Sequence, residues 1–146
     1  MRISTRTRYG IRLMINLAAN YKKGFAYLKD IAKDEEISEK YLSQIVIPLK
    51  REGLLVASRG VHGGYTIASP PSKITAKQII EILEGDLALI ECTRDQSSCT
   101  RSANCASMNL WAALSKNISD FLETVTLQDL VRIKEEKILK LVEYSI

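Results

Sequence analysis

Residues 37–68 read ISEKYLSQIVIPLKREGLLVASRGVHGGYTIA, and the first half of this stretch has the pattern of a capped amphipathic helix. Ser38 is a good N-cap because its hydroxyl can accept a hydrogen bond from the backbone of the next turn, and Glu39 complements the helix dipole. The helix should extend to about Arg51, with Pro48 kinking it or hastening its end. Its predicted buried side recurs at helical spacing at Leu42, Ile45, Val46 and Leu49.

A glycine-rich hairpin follows this helix. Gly53 ends the helix, residues 54–58 and 65–68 have the pattern of two strands, and Arg59-Gly60-Val61-His62-Gly63-Gly64 forms the turn between them. We interpret the hairpin as the wing of a DNA-binding module. Arg59 at its tip could enter a minor groove, where negative potential favours a guanidinium group.

A second short helix precedes this stretch and completes the pattern. Residues 27–33 have apolar side chains at helical spacing, and residues 34–37 form a tight connection to the helix that Ser38 caps. Two short helices joined in this way are typical of a helix-turn-helix, whose second helix reads the major groove. The side chains predicted to face DNA lie near the N-terminus of that helix: Ser38, Lys40, Tyr41, Ser43 and Gln44.

The N-terminal part of the chain is basic. Residues 1–60 contain twelve Lys and Arg against six Asp and Glu, whereas residues 61–146 contain nine against eleven. This asymmetry is expected of a nucleic-acid-binding protein. A predicted helix over residues 3–21 is apolar on two faces and should be buried on both. Its start carries arginines that could anchor phosphates: Arg2, Arg6, Arg8 and Arg12.

The composition is that of an ordinary globular protein, with 46% hydrophobic and 26% charged residues in a chain of 146. No apolar run approaches the length of a membrane span, and nothing resembles a secretory signal. We therefore expect a soluble, cytoplasmic protein without a membrane partner. No substrate-binding motif is present, which argues against an enzyme.

All three cysteines, Cys92, Cys99 and Cys105, lie within the polar segment CTRDQSSCTRSANC. A buried structural cysteine usually has apolar neighbours, and an odd number of thiols leaves no complete disulfide pairing. The clustering favours ligation of a metal or an iron–sulfur cluster, because thiolates are soft ligands. A structural zinc site, a thiol–disulfide switch and a flexible loop with incidental thiols are the alternatives.

The remaining C-terminal sequence is predicted to be helical. Thr75 and Gln78 form a capping box that opens a helix ending at Gly85, and Thr126 caps a last helix. Between them, apolar residues recur at alternating intervals of three and four. This coiled-coil-like seam favours a symmetric dimer over packing within one chain. The seam consists of Trp111, Leu114, Ile118, Phe121 and Val125.

These patterns divide the chain into three parts. Residues 1–85 form a winged helix-turn-helix DNA-binding domain, residues 86–105 a cysteine segment, and residues 106–146 a long dimerisation helix with a C-terminal helix. The predicted fold class is mainly α with a small β-hairpin. We expect a homodimer that binds an imperfect palindrome in double-stranded DNA, with one recognition helix in each half-site.

The chain resembles the Rrf2 family of transcriptional regulators, with its IscR-like, NsrR-like and CymR-like members, over nearly its whole length. The resemblance rests on the three cysteines and on these stretches: Met1-Arg2-Ile3-Ser4, Arg8-Tyr9, Ile37-Ser38, Tyr41-Leu42, Arg59-Gly60, Gly63-Gly64-Tyr65, Leu110-Trp111 and Thr126-Leu127. It implies a homodimeric repressor or activator whose cysteines hold a 2Fe–2S or 4Fe–4S cluster and sense iron–sulfur status, oxidation or nitric oxide. It also implies that these residues lie on DNA: Ser38, Lys40, Tyr41, Gln44 and Arg59.

Two departures from the family pattern concern the cluster ligands. The cysteine spacing, Cys-x6-Cys-x5-Cys, has one residue more in its first gap than the IscR-like pattern. IscR-like members supply a histidine where this chain has Met108, and NsrR-like members supply a partner aspartate where it has Arg8. We therefore expect an open or weakly filled fourth position, bound by water, a small thiol or a carboxylate such as Glu91 or Asp95.

Overall fold

The computed structural model describes residues 2–145, so Met1 and Ile146, at the outer ends of the predicted first and last parts, lie outside the described residues. The described chain is mainly helical with one antiparallel hairpin, which confirms the predicted fold class. The helices and strands are, in order, α1 (Thr5–Ala19), α2 (Leu28–Glu35), α3 (Glu39–Arg51), β1 (Leu55–Ser58), β2 (Gly64–Ile67), α4 (Ala76–Glu84), α5 (Glu91–Arg94), α6 (Ala106–Thr124) and α7 (Leu127–Tyr144).

Helix α1 lies at the centre of the core and packs against α3, α4 and α7. Leu13, Met14 and Leu17 are buried, and Ile11 packs half-buried on the other side, as the two apolar faces predict. At Gly10 the approach of α4 leaves no room for a side chain, because a Cβ atom there would lie 2.1 Å from Leu83 Cδ1. Helix α1 therefore packs closely against α4 at this point.

The helix-turn-helix forms as the capping pattern predicts. Glu36 ends α2 in a left-handed conformation, and Ser38 Oγ then accepts a hydrogen bond from Tyr41 N at 3.3 Å to cap α3. Pro48 is buried inside α3, and the helix continues through it to Arg51. Pro48 therefore removes one backbone hydrogen bond from α3 but does not end the helix before Arg51, the predicted end.

The hairpin is attached to the helix-turn-helix by its backbone. Ala26 and Tyr65 exchange two hydrogen bonds, of 2.9 and 2.8 Å, and the Tyr27 hydroxyl donates to the carbonyl of Val61. Gly64 permits this approach, because a Cβ atom there would lie 2.3 Å from the Ala26 carbonyl oxygen. The wing is thus held beside the segment that leads into α2.

Helix α7 packs against α1, and its start lies beside the start of α4. The capping box predicted at Thr75 forms, and Thr126 caps α7 as predicted and also forms a capping box, with Asp129. Ala76 N donates to Val125 O at 2.8 Å, and Leu127 N donates to Ile74 O at 2.9 Å. These bonds join the two ends of residues 76–125, which contain α4, the cysteine segment and α6. Among residues 2–145, no helix has the length and hydrophobicity needed to cross a membrane.

Candidate nucleic-acid interface and cysteine segment

The first turns of α3 present polar side chains outward. Ser38, Lys40, Tyr41 and Gln44 are exposed, whereas Leu42 on the opposite side of the helix is completely buried. Ser43, also predicted to face outward, is half-buried, and its hydroxyl donates to the carbonyl of Lys40 at 2.6 Å. The outward face of α3 is therefore narrower than the sequence indicates, and its side-chain chemistry suits contact with base edges.

Several arginines predicted to contact DNA are free to do so. Arg59 follows β1 at the wing tip and is exposed, and β1 packs against α3. Arg2 and Arg8 are exposed at the start of α1. Arg12 differs from them, because its guanidinium is bonded to Glu35. Within the described residues, the charge of Arg12 is therefore already paired, unlike those of Arg2 and Arg59.

Glu35, the last residue of α2, has its carboxylate where α1, α2 and α7 meet. Its oxygens accept from Arg12 Nε at 3.2 Å, from Asn16 Nδ2 at 3.1 Å and from Lys134 Nζ at 3.4 Å. Arg12 also donates to the Glu35 carbonyl. Burial acts to raise the pKa of Glu35, but Asn16, the charge of Lys134 and Arg12 together lower it below its ordinary value. We call this group the Glu35 junction.

A second carboxylate, that of Glu84 at the end of α4, is bonded to the start of α1. Glu84 Oε2 accepts from the hydroxyl of Ser4 at 2.7 Å, from its backbone N–H at 3.2 Å and from the buried hydroxyl of Thr7. The hydrogen bonds from Ser4 and then Thr7 lower the pKa of Glu84. The end of α4, two residues before the cysteine segment begins, is therefore bonded to the start of α1.

The three cysteines are free, half-buried thiols on separate elements. Cys92 lies in α5, Cys99 follows a 3-10 turn, and Cys105 is the N-cap of α6. Arg94 fixes the beginning of the segment, since it bonds Asp86 at 2.6 Å and Glu91 at 3.1 Å. The sequence analysis predicted α6 but neither α5 nor the 3-10 turn.

The donor chemistry of this segment fits an iron–sulfur cluster, because it offers three soft sulfur ligands. Hydrogen bonds from Ser107 and from the backbone of Met108 lower the pKa of the Cys105 thiol, which favours the ligating thiolate. In the described part of the chain, residues 2–145, no three His, Cys, Asp or Glu side chains form a group that could hold a metal ion. Metal binding would thus require the segment to draw its thiols together.

The carboxylates considered for the fourth position have other partners. Glu91 pairs with Arg94, and Asp95 Oδ1 accepts from the backbone and hydroxyl of Ser97 at 2.9 and 2.6 Å. These bonds to Ser97 lower the pKa of Asp95 and so favour its anionic form, but they also occupy its Oδ1. Met108 is half-buried one turn beyond Cys105.

Helix α6 has no buried residue along its whole length. Of the predicted seam, Trp111 is 36%, Leu114 38% and Phe121 65% exposed, and Ile118 is half-buried. Trp111, Leu114 and Ile118 also line an open groove of about 440 Å³ between α6 and residues 86–90. An apolar helix face left uncovered in this way is typical of an interface.

The sequence analysis missed the Glu35 junction and the contact of Tyr9 with α3. Tyr9 and Tyr41 pack edge to face, with ring centroids 5.7 Å apart, and the Arg12 guanidinium lies 5.6 Å from the centre of the Tyr9 ring. The one available signal was the spacing of Tyr9 and Arg12, which places them on the same side of a helix.

Comparison with known proteins agrees with this architecture. The HTH-type transcriptional regulator CymR of Bacillus subtilis is 39% identical over 130 residues, which cover 89% of each chain. The HTH-type transcriptional regulator IscR of Pectobacterium atrosepticum is 32% identical over 92% of this chain and 82% of its own. The solved structure of CymR, described as the global cysteine regulator of B. subtilis, superposes with a TM-score of 0.78 at 38% identity, covering 91% of this chain and 98% of CymR.

The family itself follows from a match over most of the sequence. Residues 3–133 match the Rrf2 family, which is described as an iron-dependent transcriptional regulator. That match includes the helix-turn-helix, the wing, the cysteine segment and α6. The chain therefore belongs to the Rrf2 family of transcriptional regulators.

Proposed function

We propose that this protein is a homodimeric regulator that reads a palindromic DNA operator through α3 and the wing. The observation that carries this proposal is the outward polar face of α3, Ser38, Lys40, Tyr41 and Gln44, on a helix whose other side is buried. Arg59 supplies a positive charge at the wing tip, and Arg2 and Arg8 supply phosphate contacts. Phosphate contacts provide affinity and register, and base contacts from α3 provide sequence selection.

Helix α6 supports the homodimer. A helix of 19 residues with no buried residue and an apolar face has to cover that face, and a second copy of the same helix is a self-complementary partner. The proposed interface is centred on Trp111, Leu114, Ile118 and Phe121. A two-fold dimer presents two copies of α3 to successive major grooves, which accounts for a palindromic site.

The cysteine segment is the proposed sensor. Cys92, Cys99 and Cys105 would hold an iron–sulfur cluster, 2Fe–2S or 4Fe–4S, whose loss on oxidation, with nitric oxide or in iron shortage would alter the segment. Two observations support this: the soft donor set, and the iron dependence in the description of the family. Through Glu84, the segment is connected to α1 and so to the DNA-binding module.

A thiol switch without a metal is the second candidate. Its support is that the three thiols are free and are not gathered into a metal-holding group within the described residues. Iron and sulfide content together with the visible spectrum of protein prepared without oxygen would distinguish the two. Iron and sulfide in stoichiometric amounts support the cluster, whereas their absence with thiols that are lost under oxidant supports the switch.

The DNA-binding proposal is tested with duplexes that the wild-type protein selects from a randomised library. Tyr41→Ala or Gln44→Ala should cost about 1–3 kcal/mol on the selected duplex and little on a scrambled duplex. Arg59→Ala should reduce affinity with a smaller effect on base selection. Gln128→Ala, an exposed glutamine on α7, is the matched control and should change neither affinity. Equal losses on both duplexes for all three variants would exclude α3 as the reading helix.

A further inference from the structure

Tyr41, the aromatic side chain on the outward face of α3, is held from the side by α1. Tyr9 of α1 meets it edge to face, with ring centroids 5.7 Å apart and ring planes at 90°. Edge-to-face pairs are favourable because the positive edge of one ring meets the negative face of the other. Tyr41 is 36% exposed, whereas Tyr9 is half-buried and packs against the core. The contact therefore joins a fixed ring to one that faces outward.

Tyr9 is itself held in place by Arg12, one turn further along α1. The guanidinium carbon of Arg12 lies 5.6 Å from the centre of the Tyr9 ring, a distance at which the cation is attracted to the aromatic face. Arg12 is fixed in turn by the carboxylate and the carbonyl of Glu35. A continuous set of contacts thus runs from the end of α2, across α1, to the first turn of α3.

We propose that Tyr9 and Arg12 are positioning residues for operator recognition, and that they act by orienting Tyr41. This proposal rests on the proposed DNA-reading function. Neither residue needs to touch DNA: the Arg12 charge is paired with Glu35, and Tyr9 acts through its ring rather than its hydroxyl. Without the Tyr9 ring, Tyr41 gains rotameric freedom that it must lose again when it contacts a base.

The test compares Tyr9→Leu with Tyr9→Phe, which keeps the ring and removes the hydroxyl. Both are measured on the duplex that wild-type protein selects from a randomised library and on a scrambled duplex. We expect Tyr9→Leu to weaken binding to the selected duplex by roughly threefold to tenfold, the range of an aromatic pair. Binding to the scrambled duplex should not change, and Tyr9→Phe should behave as wild type.

A double-mutant cycle separates positioning from general damage to the fold. In a Tyr41→Ala background, Tyr9→Leu should have no further effect on the selected duplex, because the ring that it positions is gone. Arg12→Gln provides a second variant and should lower the ratio of selected to scrambled affinity. Arg6→Gln, at an exposed arginine of the same helix, should lower both affinities in parallel.

Failure of this proposal can be distinguished from failure of the proposed function. If wild-type protein enriches no sequence, DNA reading is wrong and the positioning role is wrong with it. If wild-type protein enriches an operator but Tyr9→Leu costs the same in both backgrounds, only the positioning role is wrong. A loss with Tyr9→Phe as large as that with Tyr9→Leu would show that the effect depends on the hydroxyl rather than on the ring, which also overturns the proposal.

Discussion

Replacing the carboxylate of the Glu35 junction by an amide, Glu35→Gln, should destabilise the protein by about 1–2 kcal/mol. The Glu35 side chain is only 13% exposed and accepts from Arg12, Asn16 and Lys134. Hydrogen bonds to a charged group contribute about 1.5–3 kcal/mol to stability, and those between neutral groups about 0.5–1.5 kcal/mol. With an amide in place of the carboxylate, the bond from buried Asn16 should lose roughly the difference between these two contributions. The pairs with Arg12 and Lys134 add about 0–1 kcal/mol because both cations are partly exposed.

The effect should depend on pH. Burial raises the pKa of Glu35, but Asn16, Lys134 and Arg12 outweigh it and lower the pKa below its ordinary value. The native state then binds the proton less tightly than the unfolded state does. Glu35 therefore contributes stability above its unfolded-state pKa, and this contribution is lost as the pH falls through the lower folded-state pKa. Glu35→Gln has no such titration, so the two stability curves should converge in acid.

Urea unfolding followed by circular dichroism measures this difference, at one fixed protomer concentration because the protein is proposed to be a dimer. Glu36→Gln is the matched control, since Glu36 is the adjacent residue and is exposed. It should change the free energy of unfolding by no more than about 0.5 kcal/mol. The reasoning is refuted if the two variants are equally stable at neutral pH, or if the gap between wild type and Glu35→Gln does not narrow in acid.

Three other regions of the molecule give predictions of the same kind. Leu114→Asp should release monomers in sedimentation, because an unpaired charge buried opposite its symmetry mate costs about 3–5 kcal/mol; an intact dimer would move the interface elsewhere. Cys99→Ala should abolish the visible absorbance of protein prepared without oxygen, whereas Met108→Ala should leave it nearly intact; bleaching by Met108→Ala would make the thioether a ligand. Gly64→Ala should destabilise the protein by about 1–3 kcal/mol more than Gly53→Ala in urea unfolding, since both glycines have positive φ but only Gly64 touches backbone; equal costs would contradict the close approach to Ala26.

The hairpin and the helices other than α5 were predictable from sequence because their signals are local. Ser38 caps α3 through a neighbour three residues away, and the capping boxes at Thr75 and Thr126 are equally short-range. The Glu35 junction was not predictable in this way. Its partners Arg12 and Lys134 are 23 and 99 residues distant, so only the packing of α1, α2 and α7 brings them together.

The hairpin was predicted correctly, but a turn is only part of the reason for its glycines. Gly63 and Gly64 mark a hairpin in the sequence, and a hairpin forms there. A turn alone does not explain Gly64, however, because the backbone of Ala26 occupies the space that a side chain would need. The candidate DNA-facing side of α3 was predictable from helical periodicity. The hydrogen bond from the Ser43 hydroxyl to the Lys40 carbonyl was not, because it depends on a rotamer that periodicity does not determine.

The hydrogen bonds that join Ala76 to Val125 and Leu127 to Ile74 have a consequence for how such regulators diverge. They hold together the two ends of residues 76–125, the part of the chain that contains the cysteine segment and α6, so that this part forms a closed loop. The entropy of closing a loop grows only with the logarithm of its length, so one extra residue between Cys92 and Cys99 costs on the order of hundredths of a kcal/mol. Insertions and deletions in the cysteine segment, the proposed sensor, therefore cost little free energy and leave the proposed DNA-reading helix and wing unchanged.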